Sequence, residues 1–265
     1  MKKEQIHIRD PFILSDEGKY YLYGSRGREC WGKCSGLDVY LSEDLESWSD
    51  SYECFSRPEN FWSDMHFWAP EVHKYKNKYY MFVSFKSEDR HRGTQILVAD
   101  TPMGPFISHS DGPVTPPDWE CLDGTFYVDK NNTPYIVFCH EWTQVSDGEI
   151  CAMKLSDDLK ESIGNPIELF KASSFAKKSS VKGDGNYVTD GPFLYRLKDG
   201  QLIMIWSSFS NGKYCEKPAH LAAAHAGLGR YGALGYLPVR PSDEWCGSGK
   251  RYGHLRPCGA DRCLH

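Results

Sequence analysis

Four acidic residues stand beside a Pro or a Gly at the head of short apolar runs: Asp10 in "IRDPFIL", Glu71 in "WAPEVHKY", Asp123 in "DGTFYVD" and Asp190 in "TDGPFLYR". An isolated Asp-Pro or Asp-Gly is ordinarily a turn or cap. Repetition points to chemistry instead. Carboxylates gathered in a desolvated pocket repel and raise one another's pKa values, which makes them a poor structural device. The same arrangement suits acid–base work, in which one carboxyl stays protonated while another stays ionised.

The elements that would position these residues also repeat. After Asp10, an apolar run, a turn at Ser15-Asp16-Glu17-Gly18 and "KYYLYGS" read as a β-hairpin. The phrase returns as "APEVHKYKNKYYMFVSF", "DGTFYVDKNNTPYIVF" and "DGPFLYRLKDGQLIMIWSS". A third strand follows the first three copies, in "GLDVYLSEDLESWSD", "TQILVADTPMGPF" and "GEICAMKLSDDLK". Multi-strand repeats of roughly 50 to 65 residues, with no helical periodicity between them, are the pattern of β-propeller blades. First strands of blades line the central axis, so the corner acids of different blades converge at one mouth. The fold class expected is all-β, a five-bladed propeller type with about four blades recognisable and the fifth missing or aberrant.

Composition fits one enzyme-sized domain of 265 residues, 40% hydrophobic and 14% aromatic. A net charge of -5 gives no reason to expect a nucleic-acid partner. No stretch is long enough to span a membrane, and Met1-Lys2-Lys3 leads into Glu4, Gln5 and His7 rather than an apolar signal core. The expectation is a cytoplasmic protein without a membrane partner. Of the ten cysteines, Cys30 and Cys34, and Cys246, Cys258 and Cys263 with His254 and His265, lack a convincing paired zinc spacing. Cys139 and Cys151 fall in strand-like runs and read as small buried hydrophobes. Reduced thiols and no metal site are expected.

The ordered set "IRDPFIL…GKYYLYGS", "FWAPEVHKYKNKYYMF", "DGTFYVD…PYIVF" and "TDGPFLYR", over roughly residues 6 to 215, resembles glycoside hydrolase family 43. That resemblance implies a five-bladed propeller and inverting hydrolysis of arabinose, xylose or galactose glycosides. It also implies three carboxyls: a base Asp in the first blade, a pKa-tuning Asp in the third and an acid Glu in the fourth. By position Asp10 matches the base and Asp123 the tuning residue. In the fourth blade "TDGP" carries Asp190 where the family usually has Glu, one methylene longer. The acid is therefore open between Asp190, Glu141 in "CHEW" and Glu71 in "WAPEV".

Candidate substrate-binding residues follow from their places beside the corners. His66, Phe67 and Trp68 precede the second inner strand, and His140 and Trp142 flank Glu141; each aromatic has packing between blades as its alternative use. Arg26 and Lys86 follow second strands, where either would hold a sugar hydroxyl or pair with Asp10. The loops at residues 24 to 37 and 140 to 148 carry no readable code for the sugar.

The reaction expected is hydrolysis of a terminal arabinofuranosyl, xylosyl or galactofuranosyl bond in an oligosaccharide partner, without a cofactor. Relatives with an axial calcium support it with a His of the fifth blade, a blade not found here. Two other readings stand beside this one: a non-catalytic sugar-binding propeller, and a retaining enzyme of the invertase clan, for which the Asn-Asp-Pro-Asn pattern is missing. The propeller is expected over residues 1–216. From Lys217 the sequence turns to Gly, Ala, Arg, His and Cys and lacks Ile, Phe and Met. Residues 217–265 are expected to be an aberrant, loosely ordered tail entered by a change of reading frame near Glu216.

Overall fold

Runs such as "KYYLYGSR" and "KYYMFVSFK" join aromatic and aliphatic residues between turn residues, and both fold as strands with nearly every side chain buried. The computed structural model describes residues 1–175, 185–210, 213–221 and 240–241. Its strands form four antiparallel sheets in a propeller arrangement. Blade I holds β1 (Ile8–Asp16), β2 (Lys19–Arg26), β3 (Gly36–Ser42) and β4 (Tyr52–Ser56). Blade II holds β5 (Met65–Tyr75), β6 (Lys78–Lys86), β7 (Gly93–Ala99) and β8 (Ile107–Pro113). Blade III holds β9 (Cys121–Val128), β10 (Pro134–His140), β11 (Glu149–Leu155) and β12 (Ser162–Lys171), with a short helix α1 (Trp142–Val145) between β10 and β11. Blade IV holds β13 (Asp190–Arg196), β14 (Leu202–Ser210), β15 (Lys213–Leu221) and β16 (Arg240–Pro241).

The core lies between blades, where each sheet presents one face to the next. Tyr23, Leu37 and Phe55 of blade I pack with Phe67, Val72 and Met81 of blade II. Phe82 and Ile96 meet Ile136 and Phe138 of blade III, and Val137 and Ile150 meet Met204 and Trp206 of blade IV. Burying such side chains contributes roughly 1.5–3 kcal/mol each, and this holds consecutive blades in register.

The outer strands β4, β8 and β12 went unread in the sequence. Each carries several exposed residues, so water on one side removes the continuous apolar signature that marks second strands. In blade IV the ladder runs past Glu216: Lys217 pairs with Trp206, Pro218 with Ile205 and Ala219 with Met204. Pairing thus continues to Leu221, five residues into the stretch expected to be aberrant. Apart from residues 240–241, which pair with β15, the rest of that stretch and any fifth blade lie outside the described residues. Among the described residues no helix is long and apolar enough to cross a membrane.

Candidate active site

The pairing register fixes which residues share a blade corner. Arg9, Trp68, Leu122 and Asp190 face Ser25, Ser84, Cys139 and Ser207 on their second strands. The next residue in each first strand, Asp10, Ala69, Asp123 or Gly191, has a positive φ of 50°, 45°, 54° or 51°. A break in register accompanies each one, which is a β-bulge. For a non-glycine residue that conformation costs about 1–2 kcal/mol, and such bulges re-aim a side chain. Asp10 and Asp123 are therefore equivalent. Asp190 stands one position before the corner and Glu71 two beyond it, level with Phe12, Thr125 and Phe193. The equivalence of all four acids expected from the repeat is corrected by this register.

Serines latch one blade to the next at these corners. Ser25 Oγ accepts the amide of Ala69 at 2.9 Å, and Ser84 Oγ accepts that of Asp123 at 2.9 Å. Cys139 takes the serine's place in blade III. There the amide of Gly191 donates to Asp123 Oδ2 at 2.8 Å instead.

The three aspartates sense one another across the mouth. Burial holds Asp123 well above the usual carboxylate range, and the charges of Asp190 and Asp10 add to it. Burial pushes Asp190 up to about 7; Tyr214 Oη, donating to Asp190 Oδ2 at 2.7 Å, pulls the other way, while Glu141 and Asp10 raise it further. Asp10 is also raised by the protein around it, offset by Arg9 and by Ser25 Oγ at 3.2 Å. Its side chain faces open solvent, so water tempers that rise. The result is one carboxyl open to water and two whose burial and neighbouring charges favour the protonated form, which is a division of labour suited to general base and general acid.

The model of the family described as "Glycosyl hydrolases family 43" matches residues 5–231. The chain belongs to this family. A solved endo-arabinase from Bacteroides thetaiotaomicron VPI-5482 is 40% identical, with a TM-score of 0.80 over 91% of this chain and 82% of that one. A thermostable family-43 glycoside hydrolase is 26% identical, with a TM-score of 0.68 over 81% and 69% of the two chains. Extracellular endo-alpha-(1->5)-L-arabinanase 1 of Bacillus subtilis (strain 168) is 22% identical over 148 residues, or 52% of this chain. That match spans 45% of the relative's length.

Beside the aspartates this family-43 chain builds a platform around Arg92, which sequence reading missed. The buried guanidinium donates Nη1 to Glu141 Oε2, lies 4.1 Å from the Trp68 ring centre and donates Nη2 to His66 Nδ1 at 3.3 Å. His66 stacks on Trp68 at 4.6 Å. An arginine only donates, so His66 Nδ1 accepts and Nε2 carries the proton. Burial and the charges of Arg92 and Lys86 lower the pKa of His66, which keeps the ring neutral. A cleft of about 470 Å³ opens beside this group, walled by Lys86, His91, Arg92, Glu120, Glu141 and Gln144.

Other candidates are placed elsewhere. Arg26 and His140 stand one step past the latch residue, where alternation turns them to the other face, whereas Lys86 stands two steps past Ser84. Arg26 grips Asp38 at 2.6 and 2.9 Å and Glu53 at 2.7 Å, not Asp10. His140 bonds Glu149 at 2.9 Å and Gln144 at 3.0 Å and stacks on Trp119. Lys86 bonds Glu120 at 2.5 Å while keeping a place on the cleft wall. Phe67 is a core residue packed on Phe55, Phe61 and Phe85. Trp142 is half-buried at the start of α1.

Glu71 lies below the mouth, where its Oε2 accepts from Thr125 Oγ1 at 2.7 Å and meets His73 Nε2 at 3.1 Å. Among the described residues no three His, Cys, Asp or Glu side chains are grouped to hold a metal ion. Cys30 and Cys34 are free thiols facing backbone carbonyls, and the cysteines of the tail lie outside the described residues.

Proposed function

We propose that this family-43 chain hydrolyses α-1,5-linked arabinan at internal bonds by inversion, with Asp10 as base and Asp190 as acid. Internal cleavage replaces the terminal cleavage expected from sequence. The convergence of Asp10, Asp123 and Asp190 carries the catalytic reading, and likeness to an endo-arabinase at 40% identity supports the substrate.

Asp10 takes a proton from water as the oxygen attacks the anomeric carbon, and Asp190 gives its proton to the departing glycosidic oxygen. One C–O bond forms as the other breaks, and the two protons balance. Asp190 is favoured over Glu141 as acid because Glu141 Oε2 is engaged by Arg92, whereas Tyr214 takes only Oδ2 of Asp190 and leaves Oδ1 to hold the proton. Asp123 feels the charge of Asp190, so each carboxyl disfavours ionisation of the other and Asp123 tunes how firmly Asp190 holds its proton.

Digestion of debranched arabinan and of xylan tests this reading. The expected products from arabinan are oligosaccharides of mixed length, whose first-formed anomer in proton NMR is inverted. Release of arabinose alone from chain ends, a retained anomer, or cleavage of xylan in preference to arabinan overturns it. Inversion calls for base and acid carboxyls roughly 6.5 to 9.5 Å apart, to admit the water.

A further inference from the structure

Trp31 is the most exposed tryptophan among the described residues, at 62%, and no part of the chemistry above uses it. Its loop, between β2 and β3, is nonetheless held firmly. The amide of His66 donates to Gly32 O at 3.2 Å, that of Cys34 to Asp64 O at 2.8 Å, and Trp68 Nε1 donates to Cys30 O. Cys30 and Cys34 are buried on either side, which anchors the loop against blade II. The indole meets Trp68 edge-on, with ring centres 5.2 Å apart at 74°. The guanidinium of Arg9 lies 5.2 Å from its ring centre.

These contacts put Trp31 between two parts of the site. Arg9 precedes Asp10 in β1, and Trp68 carries the His66 and Arg92 stack. A large apolar ring left in water gains nothing for folding, yet its backbone is fixed, so little ordering is needed when a ligand covers it. The C–H face of a pentose ring is the chemistry that fits an open indole beside a carboxylate-lined mouth. Its hydroxyls would meet Arg9, a fixed donor.

We propose that Trp31 stacks on a sugar unit of the chain away from the cleaved bond, and so makes the enzyme a reader of chain length. This rests on the arabinan reading for the identity of the sugar, but the stacking itself asks only for a pentose chain. Burying an aromatic face of this kind contributes enough to change relative turnover about tenfold.

The test compares W31A and W31F with the parent on arabino- and xylo-oligosaccharides from disaccharide to hexasaccharide. The ratio of kcat/KM for hexasaccharide over disaccharide is expected to fall about tenfold in W31A and much less in W31F. Circular dichroism and Tm serve as the check on folding, since an exposed side chain is being removed. An unchanged ratio, or an equal loss at every length in a folded variant, overturns the proposal. If the parent cuts only the xylose series, the arabinan reading fails and the ratio is read on that series. A parent with no preference for longer chains in either series overturns the Trp31 proposal alone.

Discussion

Asp123 Oδ2 accepts the backbone amide of Gly191 at 2.8 Å, so a carboxyl of blade III ties down the corner of blade IV beside Asp190. The tie exists because Cys139 stands where blades I and II have the latching Ser25 and Ser84. Asp123 therefore has a positioning task as well as an electrostatic one.

Replacing Asp123 two ways separates these tasks. D123A leaves the Gly191 amide without its acceptor and is expected to cost about 1–3 kcal/mol in urea unfolding. D123N keeps an accepting oxygen and should retain most of that stability while losing turnover, because an amide cannot exchange charge with Asp190. Equal stability of the two variants would remove the positioning task.

The pH profile reports on Asp190. A general acid with a pKa of about 7 must be protonated to work, so kcat/KM is expected to fall as pH rises through that region. Tyr214 donates to Asp190 and thereby favours the carboxylate, so Y214F should raise the pKa and move the falling limb to higher pH. A limb that stays in place, or shifts to lower pH, assigns the acid to another group.

Asp10 is the base in this scheme. D10N is expected to lower turnover about 10²-fold or more while oligosaccharide binding, measured by calorimetry, stays within a few-fold. Turnover within a few-fold of the parent would take Asp10 out of the mechanism.

Arg92 and Glu141 are both buried and paired. Removing only the cation, in R92M, leaves a buried carboxylate without its partner and is expected to destabilise by about 3–5 kcal/mol. R92M/E141Q should recover part of that loss. Additive losses in the double-mutant cycle would show that the pair is not coupled.

The sequence alone was enough to mark the first and second strands of four blades, because their aromatic and aliphatic runs flank recurring turn residues. It was also enough to mark Asp10 and Asp123. Acid-Pro and Acid-Gly corners are local features, and the strained positive φ of each lies within a single strand. The parity of a strand after a bulge is not local. Arg26 and His140 look like mouth residues in one dimension, but the register places them one step past the latch and turns them to other partners. Arg92, Tyr214 and Trp31 sit in stretches that read as ordinary loop or strand, and their meaning comes from partners far away in the chain: Glu141, Asp190 and Trp68. Packing of one blade against the next brings Glu141 to Arg92 and Trp68 to Trp31, and the pairing of strands within blade IV brings Asp190 to Tyr214. The proposal of Asp190 over Glu141 as acid rests on such partners too, since Arg92 engages Glu141 while Tyr214 reaches only one oxygen of Asp190.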